Sequence, residues 1–176
     1  LNRQKHLNVD SVLDMIALQA EESQVVFVRG LQGGTFVYDS SKSLLNDGGV
    51  VFNGWVRYGV SKLVTPQMFG AKGEGTTGDQ ECITKALTYL NSIGGGTLYI
   101  PDGLYLIDTV HYVKESETGA SLNEQYAFAI YSNITVQGQS KGNTIFKMAD
   151  GIIYKKLTEA NIGCALFADA HRRVHI

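Results

Sequence analysis

Proline and cysteine are nearly missing from this chain, with two of each in 176 residues. Two cysteines cannot staple a disulfide scaffold, and Cys82 and Cys164 lack the C-x-x-C spacing of a zinc or redox pair. Both are read as reduced structural thiols of a protein made in a reducing compartment. No stretch approaches the roughly 20 consecutive apolar residues of a membrane span. Neither sign of charge dominates: 15 Lys and Arg against 17 Asp and Glu leave a net charge of −2. That is no basic footprint, so nucleic acid is excluded as the expected partner. The opening LNRQKHLNVDSVLDMIAL has no initiator Met, as expected of a processed or truncated product. Asp10 and Asp14 interrupt what would be the apolar core of a signal peptide. A metal-ligand pattern is lacking too. His171 and His175 stand four apart, but they enclose Arg172, Arg173 and Val174 rather than the glutamate of H-E-x-x-H. No metal and no cofactor is expected.

What is present is a β composition. Hydrophobic residues make up 44%, enough to bury a core, and 20 Gly with 9 Tyr and 7 Phe suggest short strands joined by tight turns. Residues 10–20 read as a helix, with Asp10 or Ser11 as its cap and Val12, Met15, Ile16 and Ala20 on one face. QVVFVRG, GGTFVYD, GGVVFN and WVRYG then follow as four β-rich runs, so residues 24–59 form a small antiparallel unit. About 60 residues make a marginal domain, for which oligomerisation is the natural remedy. Phe36, Tyr38, Trp55, Arg57 and Tyr58 are its densest aromatic group. They form either the unit's own small core or an interface with neighbouring chains or an anchoring partner, since aromatics and Arg concentrate at interface centres. Residues 61–76 read as a linker containing Pro66 and a glycine-rich loop.

Gly73-Glu74-Gly75-Thr76-Thr77-Gly78 spells G-x-G-x-x-G, with Asp102 downstream, which imitates a dinucleotide fingerprint. A fingerprint needs a buried strand running into its first glycine, whereas TPQMFGAK precedes this one. Glu74 and Asp79 would also repel a pyrophosphate at a helix N-terminus. The glycines, Gly73 and Gly75 in particular, are expected to turn the backbone into a capped helix over 77–93. Thr77 and Gln80 would form its capping box, and Ile83, Ala86, Leu87, Leu90 and Ile93 its apolar stripe. TLYIP and LYLID read as strands around a tight Asp102-Gly103 turn, and YAFAIY, NITVQG and NTIFKM as three more. Short strands and polar corners after one helix have the rhythm of a β-solenoid's start.

FGAKGEGTTGDQECITKALTYLNSIGGGTLYIPDGLYLI resembles the opening of the pectin-lyase-like right-handed β-helix superfamily, with NITVQGQSKGNTIFKM as its next element. Phe69 to Gly73 match the superfamily's F-G-A-K-G directly; Glu74 replaces an Asp, Gly78 replaces the first Asp of a D-D pair, and Asp79 keeps the second. The upstream runs resemble the N-terminal module of bacteriophage tailspikes. Together the two resemblances imply a mainly β chain in three parts. Residues 1–60 are a virion-anchor β module with a short helix, 61–76 a linker, and 77–176 a capping helix with the first coils of a right-handed parallel β-helix. They imply a homotrimer made in the host cytoplasm and carried on the virion, attached to a phage tail or baseplate protein. The parent would bind and depolymerise host surface polysaccharide. A cellular β-helix polysaccharide hydrolase or lyase is the alternative.

Hydrolysis needs two carboxylates about 5–9.5 Å apart. The acids on offer are Asp102, Asp108, Glu115, Glu117, Glu124, Asp150, Glu159 and Asp169; Asp102 and Asp108 read as turn residues, and Glu115, Glu117 and Glu124 as solvated loop residues. In the resembled family the catalytic groups lie further along the solenoid, so no catalytic residue is named.

Overall fold

The computed structural model describes residues 7–109, 111–112 and 125–150. In chain order the elements are β1 (Leu7–Val9), α1 (Val12–Ile16), β2 (Val25–Val28), β3 (Gly34–Tyr38), β4 (Val51–Phe52), β5 (Trp55–Arg57), β6 (Leu63–Val64), β7 (Glu74–Gly78), α2 (Gln80–Ser92), β8 (Gly96–Ile100), β9 (Gly103–Ile107), β10 (His111–Tyr112), β11 (Gln125–Tyr126), β12 (Ile134–Gly138) and β13 (Thr144–Met148).

The four β-rich runs become β2 to β5, in a five-stranded sheet of order β1-β2-β3-β5-β4. β1, which the sequence pattern does not signal, pairs with β2 in parallel, and the rest of the sheet is antiparallel. The helix expected over 10–20 is a single turn. The Ser11 side chain caps it by accepting from the Asp14 N–H at 3.1 Å, and Val12 and Met15 are its buried residues. A helix this short is held by packing rather than propensity. Leu18 and Ala20 reach the same core, made by Met15, Val26, Val28, Phe36, Phe52 and Trp55, from outside the helix.

The second half is built differently. β6, β8 and β12 stack in one parallel sheet, with Val64, Leu98 and Val136 in one row. β7, β9 and β13 stack in a second parallel sheet. Strands adjacent in sequence therefore lie in different sheets, and strands one coil apart are hydrogen-bonded neighbours. This is the pattern of a parallel β-helix. Asp102-Gly103 is accordingly a corner between two sheets and not a hairpin turn. Of YAFAIY, only Tyr126 falls in a strand, while Ala127 and Phe128 are buried in the solenoid core. Residues 61–76 are more than a linker: β6 lies there, a 3-10 turn follows over Pro66–Phe69, and the glycine-rich segment is itself strand β7.

α2 turns Ile83, Ala86, Leu87 and Leu90 onto the solenoid core beside Val64, Leu98, Ile100, Tyr105 and Ile107, while Ile93 at its end stays 36% exposed. Each fully buried Ile, Leu or Val among them contributes about 1.5–3 kcal/mol before the entropy of ordering is counted.

Candidate functional site

The helix starts at Gln80 rather than Thr77, because β7 stays paired with β9 as far as Gly78↔Leu106 and the Asp79 N–H donates to Leu106 O at 2.9 Å. The capping box therefore does not form. The Thr77 hydroxyl donates instead to Glu74 Oε1 at 2.6 Å, joined there by Thr76 at 3.0 Å and by Lys72 Nζ at 3.6 Å. These contacts, the Thr77 hydroxyl first among them, hold the Glu74 carboxyl below the ordinary glutamate range. The Gln80 side chain is buried and clasps two distant strands of chain, donating to Ala127 O and accepting from the Thr109 N–H at 2.8 Å.

Asp79 occupies the centre of the loop. It is 1% exposed, and its carboxylate accepts from the backbone N–H groups of Lys72 at 2.7 Å, Gly73 at 3.2 Å and Leu106 at 3.3 Å. Gly73 and Gly75 take positive φ values of 65° and 78°, which turn the backbone around it. A nest of N–H groups of this kind would suit a phosphate, but here the chain's own carboxylate fills it. The G-x-G-x-x-G segment is thus a strand whose entry loop is already occupied by the chain's own carboxyl group.

Asp102 has a related role on the surface. Ser140 and Thr144 donate their hydroxyls to its Oδ1 at 2.7 and 3.1 Å, and its N–H donates to Gln139 Oε1 at 3.1 Å. It ties the corner of one coil to residues 139–144 of the next. The Ser140 hydroxyl, ahead of Thr144, draws its carboxyl below the usual aspartate range. Asp108 and Asp150 are exposed; Glu115, Glu117, Glu124, Glu159, Asp169, Cys164 and the two C-terminal histidines lie outside the described residues. Among the described residues, no three His, Cys, Asp or Glu side chains converge, and no helix is long and apolar enough to cross a membrane.

The aromatic group of the N-terminal unit separates into two. Phe36, Trp55 and Arg57 are sealed in the unit's own core, which corrects the expectation that they could face a partner. Their positions in β3 and β5 point them to one side of the sheet, where Phe36 stacks edge-on to Phe52 at 5.8 Å and Trp55 to Tyr38 at 5.2 Å. Tyr38 is half-buried, and Tyr58 is 73% exposed. Arg57 lies over the Phe36 ring and donates to three backbone carbonyls, those of Gly49 at 2.9 Å, Gly33 at 2.6 Å and Gln32 at 2.9 Å. Burial pulls its pKa down to about 10, so it still carries its charge at neutral pH.

The same residues join the two halves. The Gln32 side-chain amide donates to Gly48 O and Met68 O at 2.9 and 3.1 Å. The Phe69 ring fills the space beside Gly49, where an added Cβ would lie 2.3 Å from it. A cleft of about 480 Å³ runs beside this junction, between Asp47 and the outer face of α2 at Glu81, Lys85 and Tyr89.

Two stacked parallel sheets with short corners and one helix packed on their interior define the start of a parallel β-helix. The chain belongs to the rhamnogalacturonase A/epimerase, pectate lyase-like family, whose model matches residues 65–165. It is 35% identical over 83 residues to alginate lyase 7 of Azotobacter vinelandii, a match covering 47% of this chain and 8% of that protein. The gp42 tailspike of Acinetobacter phage vb_AbaP_AS12 has the same fold over 81% of this chain and 23% of its own, with a TM-score of 0.61 at 23% identity. Tailspike gp49 of Acinetobacter baumannii bacteriophage Fri1, a capsular polysaccharide depolymerase, superposes over 81% of this chain and 37% of its own, with a TM-score of 0.52 at 13% identity. The chain thus spans under a tenth of this curated relative, and 23% and 37% of these two tailspikes.

Proposed function

We propose that this chain is the N-terminal part of a trimeric tailspike. Residues up to about 60 attach the spike to a tail or baseplate protein of a phage virion, and α2 covers the first coil of a β-helix whose later coils bind and depolymerise a bacterial surface polysaccharide. The observation that carries this reading is the order of parts: an antiparallel module, the Gln32–Phe69 junction, and then parallel coils, an arrangement that superposes on a tailspike over both halves. The family match supports a polysaccharide as substrate.

A cellular β-helix lyase or hydrolase is the second reading, favoured by the identity to an alginate lyase over 83 residues. The two predict different products. Whole protein incubated with capsular polysaccharide of its host should shorten that polymer, read as a fall in its mass by size exclusion, and should leave alginate intact. Cleavage of alginate with an unchanged capsule would favour the second reading. Neither polymer changing would remove the depolymerase part of both.

A further inference from the structure

The module and the solenoid meet around a buried cation. Arg57, at the end of β5, is 6% exposed, and its guanidinium lies 4.5 Å from the centre of the Phe36 ring. Its charge is met by three backbone carbonyls, two of them in the turn before β3, at Gln32 and Gly33, and one at Gly49. Both segments go on to touch the solenoid. Gln32 sends its side-chain amide to Gly48 O and Met68 O, and Gly49 backs onto the Phe69 ring. Val50, next along, is 5% exposed and belongs to the same buried cluster as Phe69, Ile83 and Leu87, although it directly precedes β4 of the module. Asp47 fixes the shape of this segment by accepting from the N–H groups of Gly49, Val50 and Val51 at 2.9, 2.7 and 2.9 Å.

We propose that Arg57 is a charged latch between the two halves. The turn at 32–33, the segment at 47–50 and the 3-10 turn over Pro66–Phe69 open together or not at all, so the chain's cooperative boundary lies past that turn and not near residue 60. The physical reason is the buried charge. Releasing Gly49 or Gln32 alone would leave a guanidinium short of acceptors beside the Phe36 ring, a cost above that of losing an ordinary hydrogen bond. The carbonyls are therefore given up as a set, and the segments that carry them are the ones that hold Met68 and Phe69. Arginine suits the place because its planar fork reaches several carbonyls at once, whereas the compact ammonium of a lysine cannot. The inference concerns the junction itself and stands apart from the choice between the two functional readings.

The test is native-state hydrogen exchange on the whole protein, wild type against Arg57→Lys, because exchange reports local opening segment by segment. Three sets of amides are compared: those of β3 in the module, those of Met68, Gly70 and Ala71, which close the 3-10 turn onto Thr65, Gln67 and Pro66, and those of β13 as the control. In Arg57→Lys the first two sets should exchange faster by a common factor of about ten or more, as expected when hydrogen bonds from a charged donor are lost, while β13 keeps its wild-type rate. Faster exchange in β3 with the turn unchanged would mean that the halves open independently, and would overturn the latch. So would an equal acceleration of β13, which is a general loss of stability, or no change anywhere. Should Arg57→Lys fail to fold, Gln32→Ala decides instead. It leaves Arg57 in place and cuts the amide link to Met68, so the turn amides should speed up while β3 and β13 hold; turn amides at the wild-type rate would overturn the proposal.

Discussion

Three backbone N–H groups around β7 have the Asp79 carboxylate as their acceptor, and every partner of its two oxygens is a donor. Replacing it with asparagine turns one oxygen into an NH₂ group that must face a donor in a buried site. Asp79→Asn is expected to cost about 1–3 kcal/mol, read from the urea midpoint; a midpoint equal to wild type would contradict the role given to Asp79. Asp102 supplies a second case, with a sign that can be worked out. Its carboxyl is depressed in the fold, so the stability it adds is present above the unfolded value of 3.8 and is lost as pH falls through the lower folded value. Ser140→Ala removes the leading cause and should raise the Asp102 pKa toward 3.8, as followed by carboxyl-carbon NMR. No movement would mean that the corner hydrogen bond is not what depresses it. The sequence marked Asp79 only as half of a D-D motif and as an obstacle to phosphate. That its carboxylate would fold back into the loop depends on the β7–β9 pairing, which brings in Leu106 from 27 residues away and leaves no local trace.

Local periodicity carried the elements well where a single face decides them. The stripe Ile83, Ala86, Leu87 and Leu90 is legible because a 3.6-residue repeat has one meaning, and the runs that became β2 to β5 are legible from β-branched content between glycines. Pairing was not legible. Asp102-Gly103 between two strands has the local chemistry of a hairpin, and only long-range parallel partners make it a corner. The start of α2 was misplaced for a similar reason: Thr77 and Gln80 satisfy a capping-box pattern, but strand pairing claims Thr77 first. At the junction, Gly49 and Phe69 give a test at this scale. Gly49→Ala should cost about 1–3 kcal/mol by overpacking against the ring. Most of that cost should vanish in a Phe69→Ala background, where the ring is gone. Additive losses in the double-mutant cycle would show that Phe69 is not what fills the space at Gly49.

For the molecule as a whole, composition excluded more than it identified, and the order of a β module followed by a β-helix opening held the most information about class. Which side of the N-terminal sheet each aromatic takes was the least legible feature, because an aromatic cluster reads the same whether it faces inward or outward. Strand parity resolved it by placing Trp55 inside and Val56 and Tyr58 outside. The reading as a virion-borne spike is tested most directly by immunogold electron microscopy of phage particles produced from the gene, using antibodies raised against the β-helix part of the protein. Gold is expected at the tail, and is expected to be lost from particles made with residues 7–58 deleted. Protein found only free of particles, or released by bacterial cells carrying no phage, would contradict it.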